Sequence, residues 1–199
     1  MGIVVSLFRR IAATGGHGYQ SIPPCEKEEN CNAMPAAVKG LKGTAFLHAH
    51  AKNWREAALA FGEQATCDLK LGNELSAASA LLNSAKCYTW IHDQEEGAVP
   101  ATELALQKAL ALFVKRDGLQ MAAVCCHELA ELYVEQKELQ KAADFFEQAA
   151  VYYGNRFSRW CKFEADRIRF VLDNEEAHRQ SDPADWRSQL YEVFATGIM

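Results

Sequence analysis

Residues 53–65, NWREAALAFGEQA, have a near twin in residues 138–150, ELQKAADFFEQAA. With Trp54 laid on Leu139, Ala57 falls on Ala142, Ala58 on Ala143, Phe61 on Phe146 and Ala65 on Ala150. The matched positions recur at three- and four-residue spacing, so each segment is a helix with one small-residue face and one aromatic. A single helix hairpin cannot cover such a face. Equivalent faces must stack on neighbouring hairpins, as in a solenoid. The offset of 85 residues spans two repeats of about 42 residues each, longer than the roughly 34 of an ordinary tetratricopeptide (TPR) unit. The expected fold is therefore all-α, a TPR-like solenoid of long antiparallel helix hairpins.

Working outward, six helices are expected at about 53–71, 73–90, 100–117, 119–136, 138–153 and 156–178. Gly72, Gly118 and Gly154 suit helix ends, Asn73 a helix start and Pro100 a first turn. The inward stripes read Leu75, Ala78, Leu82, Ala85 and Tyr88 in the second helix, and Leu106, Ala109, Leu110 and Phe113 in the third. They continue with Ala122, Cys125, Leu129 and Leu132 in the fourth, and Cys161, Ile168, Val171 and Leu172 in the sixth. Residues 1–43 read as a flexible leader, 44–180 as the solenoid and 181–199 as a short capping helix. The last starts at Asp182-Pro183 and carries Trp186, Leu190 and Phe194.

Bulk composition limits the function. The 199 residues carry 26 acids against 21 bases, a net charge of −5, which disfavours phosphate-neutralising nucleic-acid binding. Seven scattered cysteines do not form a disulfide framework and suit a reducing, cytoplasmic setting. No run approaches the ~18 apolar residues of a membrane span, so any membrane contact is peripheral. Cys125-Cys126-His127 and His48/His50 invite a metal or nucleophile reading. Adjacent helical residues diverge by about 100°, however, and no zinc-type spacing or hydrolase motif accompanies them. No cofactor, metal or catalytic site is expected.

The start, MGIVVS, fits the N-myristoylation pattern with Gly2 as acceptor. Leu7 and Phe8 beside Arg9 and Arg10 could supply the second anchor that one acyl chain needs. The alternative is an ordinary initiator followed by a flexible arm.

The ordered blocks AKNWREAALAFGEQATCDLKLGN, SAKCY, KRDG, ELAELY and ELQKAADFFEQAAVYY resemble the soluble NSF attachment protein (SNAP) family, especially its alpha type, over roughly residues 50–172. The resemblance implies a non-enzymatic adaptor in vesicle trafficking and membrane fusion. Such an adaptor grips the SNARE helical bundle through basic residues, touches the membrane surface and recruits the AAA ATPase NSF. Where the family pattern has basic residues, this chain has Val124, Thr89, Trp90 and Trp160. Nearby Lys86, Lys115, Arg116, Arg156, Arg159 and Lys162 are the candidate SNARE-binding cations in their place. The usual first hairpin is mostly absent, and the chain stops at Met199 with little room for the C-terminal bundle that engages NSF. The implied protein is a shortened, diverged member. The alternative is a TPR-like scaffold for an unrelated protein or peptide.

Overall fold

A computed structural model describes residues 33–92, 97–154 and 156–179. It contains seven helices among them: α1 (Ala33–His50), α2 (Trp54–Lys70), α3 (Glu74–Thr89), α4 (Ala98–Lys115), α5 (Leu119–Glu135), α6 (Leu139–Tyr153) and α7 (Arg156–Arg179). The described residues include no strand. Each helix packs antiparallel on its predecessor and successor in chain order, which is the zigzag of a helical-hairpin solenoid. Equivalent helices α2, α4 and α6 begin 44 and 41 residues apart, close to the expected step.

Four of the turns are one motif repeated. Three residues separate α1 from α2, α2 from α3, α4 from α5 and α5 from α6. The middle residue of each, Lys52, Gly72, Asp117 or Lys137, has positive φ. The third residue donates its N–H to the carbonyl five positions back (Asn53 to His48, Asn73 to Asp68, Gly118 to Phe113, Glu138 to Tyr133). That is the Schellman closure of one helix. The same third residue then accepts the first helical bond of the next, from Ala57, Ala77, Ala122 or Ala142. All four alanines are fully buried, so at these points the following helix presses against its predecessor with no room for a larger side chain.

Only Gly72 occupies the left-handed position without a Cβ penalty. Lys137→Gly is therefore expected to stabilise the protein by about 0.5–1 kcal/mol, and Gly72→Ala to destabilise it by about 1 kcal/mol. Denaturant midpoints would check both. Opposite signs to these would mean that the turn is not held in the left-handed conformation.

The twin segments occupy twin environments. Ala57, Ala58 and Phe61 of α2 and Ala142, Ala143 and Phe146 of α6 are all buried, as is Ala65, while Ala150 is partly buried. The main core runs from Leu82 and Leu106 through Cys125, Leu129 and Tyr133 to Phe146 and Ile168, with Leu110, Phe145, Tyr152, Tyr153 and Leu172 packed at its edge. Two polar ties join α2 to α3. Ser84 Oγ donates to the Ala58 carbonyl (2.8 Å), and Ser76 Oγ donates to the buried Asp68 carboxylate (2.7 Å).

Two expectations are corrected. Helix α1 begins at Ala33, so its first eleven residues lie in the segment read as leader. Gly40 and Gly43 argue against a helix by propensity, but burial of Leu41 and Ala45 overrides it. Leu75, read as inward, is 49% exposed. The buried arc of α3 is set by Ala77, Ala78, Ala80 and Leu82, which leaves Leu75 at its rim. Gly2, Leu7, Phe8, Arg9, Arg10 and the segment 181–199 lie outside the described residues.

Candidate functional site

The six candidate cations do not form one patch. Lys115 and Arg116 close α4 and converge on one carboxylate, Glu74 at the start of α3, with contacts of 2.7 and 2.6 Å. These two cations hold the Glu74 carboxyl below its usual range, so much of their charge is already neutralised within the protein. Arg156, Arg159 and Lys162 are exposed on the first two turns of α7. Alternation of helix direction brings Arg156 and Arg159 to the same end of the stack as Lys115 and Arg116. Gln120 of α5 donates to the Tyr153 carbonyl there (3.2 Å), tying that end together. Lys86 sits near the other end of α3 and is partly buried.

The four residues that stand where the family pattern has cations make local contacts, although Thr89, Trp90 and Trp160 remain exposed. Trp90 stacks on Trp54 at 5.3 Å. Trp160 lies 5.2 Å from His127 and edge-on to Phe146 at 5.8 Å. Val124 is partly buried, and Thr89 Oγ1 bonds back to the Ala85 carbonyl. An open cleft of about 160 Å³ lies beside the tryptophan stack, lined by Phe46, Trp54, Phe61, Lys86 and Trp90. The tryptophans were visible in the sequence, but their stacking across 36 residues was not.

Carboxylates were missed as well. Glu128, Glu131 and Glu135 recur at three- and four-residue spacing on α5, a stripe legible in HELAELYVE. His127 approaches Glu131 at 3.4 Å and His92 approaches Glu135 at 3.8 Å. Burial pushes the Glu128 carboxyl above the usual range. Lys86 opposes the rise and Glu131 adds to it. Burial likewise raises Glu131, helped by Glu135 and by Glu164 of α7. Burial lowers the His127 imidazole below 6.5, against the pull of Glu128 and Glu164.

The signs give a pH prediction. A carboxyl whose folded pKa exceeds its unfolded value costs stability while ionised, and the cost disappears as pH falls through the folded pKa. Glu128→Gln should therefore be more stable than the parent at pH 7, with the gap closing towards pH 4.5. His127 works the other way, favouring the unfolded chain as pH falls below about 6.5. Thermal melts between pH 7 and 4.5 would test this, and a variant less stable than the parent at pH 7 would refute it.

Four of the buried thiols are poor nucleophiles. Burial pushes Cys125 and Cys126 up to about 12 and Cys87 and Cys161 to about 11. No cluster of three or more His, Cys, Asp or Glu that could hold a metal occurs among the described residues. No described helix is long and apolar enough to cross a membrane.

Stacked hairpins presenting charged and aromatic side chains along their helices define a helical-repeat protein. A family model described as soluble NSF attachment protein, SNAP, matches residues 34–159, and the chain belongs to that family. SNAP-family proteins are adaptors, not enzymes, and work with SNAREs and NSF in trafficking. No curated protein matches the chain.

Proposed function

We propose that this protein is a SNAP-like adaptor that binds SNARE helical bundles and links them to the disassembly ATPase or regulates that link. The family match over 34–159 carries this reading. The grip comes from the candidate cations Lys86, Lys115, Arg116, Arg156, Arg159 and Lys162, of which Arg156, Arg159 and Lys162 are exposed on α7. Membrane contact through Gly2 acylation and through Leu7, Phe8, Arg9 and Arg10 belongs to the same proposal. The test is to mix purified full chain with an assembled SNARE bundle at rising salt. A complex that weakens as salt rises supports an electrostatic grip. No complex at low salt refutes it. Adding NSF and a conventional attachment protein then separates stimulation from blocking of disassembly.

The Glu128–Glu131–Glu135 stripe favours a second reading, a TPR-like scaffold for an unrelated basic helix or peptide. Under it, a lysine-rich helical peptide binds, the SNARE bundle does not, and Glu131→Lys weakens the peptide complex.

A further inference from the structure

Helix α7 buries Cys161, Ala165, Ile168 and Val171 and packs chiefly on α6 among the described helices. At about 100° per residue, Arg156, Arg159, Phe163 and Phe170 fall within an arc of about 60° on the opposite side. All four are exposed, Phe163 at 62% and Phe170 at 58%. Lys162 is exposed beside them, and the acid Asp166 stands at the edge of the arc. Arg167 is held by Glu164, and Arg169 by Asp144 and Glu147 of α6. Arg156, Arg159 and Lys162 form no ion pair among the described residues. Residues 156–162 hold these three cations and no acid, in a chain of net charge −5. Positive charge is thus concentrated where two large rings stand in solvent.

That combination selects the occupant. An assembled helical bundle turns its apolar side chains inward and presents charge, which engages the cations but leaves both rings in water. The interface of an anionic bilayer takes both, the rings at the acyl boundary and the cations among the lipid phosphates. Phe163 and Phe170 stand seven residues apart, about two helical turns, so both reach one flat surface when α7 lies along it. We propose that this face of α7 is a peripheral docking surface for anionic phospholipid. Phe163 and Phe170 seat below the headgroups, with Arg156, Arg159 and Lys162 at their level. Two rings and three cations give a weak, reversible and salt-sensitive hold. The proposal shares its cations with the adaptor reading but does not rest on it.

Co-sedimentation of the unacylated full chain with vesicles tests it, using phosphatidylcholine alone or with about one-third phosphatidylserine. The parent should bind the phosphatidylserine vesicles at least tenfold more tightly than the neutral ones. Phe163→Ser with Phe170→Ser should lower that binding at least tenfold, and so should Arg156→Gln with Arg159→Gln. Circular dichroism should show parent helix content in both double variants, because all four side chains are exposed. If the serine pair unfolds, the glutamine pair decides alone. No binding of the parent to phosphatidylserine vesicles overturns the proposal, as does equal binding to both vesicle types. Parent-like binding by either folded double variant also overturns it, since the contact would then lie elsewhere in the chain. A lipid-free SNARE bundle separates this from the adaptor reading: the serine pair should bind it as the parent does. A serine pair that loses the bundle and keeps the vesicles assigns the rings to a helical partner and refutes the lipid surface.

Discussion

Truncating Phe146 to alanine is expected to lower stability by ~3–5 kcal/mol, the range for losing a buried aromatic and leaving its cavity. Phe146 is 4% exposed, and its ring meets His127 of α5 at 5.9 Å and Trp160 of α7 at 5.8 Å. It therefore joins three successive helices at once. For a chain of this size the loss corresponds to a melting temperature lower by about 10 °C. The twin change, Phe61→Ala, should cost less. Phe61 belongs to a smaller cluster and meets one ring, Phe46, at 5.3 Å. Denaturant unfolding, with hydrogen exchange to locate the loss in α5–α7, would measure both. A Phe146→Ala cost under about 1 kcal/mol would show that the aromatic is not what holds those helices together.

The second large effect is on binding. Under the proposed adaptor function, reversing Arg156, Arg159 and Lys162 together to glutamate is expected to weaken SNARE-bundle binding about 100-fold or more at low salt, roughly 1 kcal/mol per reversed charge. Reversing Lys115 and Arg116 should do less to affinity and more to the fold. Those side chains already contact Glu74, and their reversal sets three like charges side by side. Titration by calorimetry or anisotropy would separate the two variants. Equal affinity of the triple variant and the parent would remove α7 from the interface.

Much of the architecture was legible because it depends on local spacing. The alanine and phenylalanine positions of α2 and α6 repeat in the sequence, and their burial repeats with them. Helix α1 was hidden because Gly40 and Gly43 lower its intrinsic propensity, while the burial that rescues it involves a separate helix. Leu75 misled because it lies on the three-residue ladder of Ala78, yet the helix turns its buried arc towards Ala77 and Ala80. The candidate cations show the larger gap. Lys115 and Arg116 look available in the sequence, and Glu74 lies 41 and 42 residues away. No periodicity links residues at that distance. The same holds for Trp54 and Trp90, which only the antiparallel packing of α2 and α3 brings face to face.

In four places a single residue closes one helix and opens the next. Such a joint has no slack: adding or removing one amino acid there would break the bonds by which one residue closes one helix and opens the next. Changes of length should therefore fall outside these four joints. Variation among its relatives should follow that division.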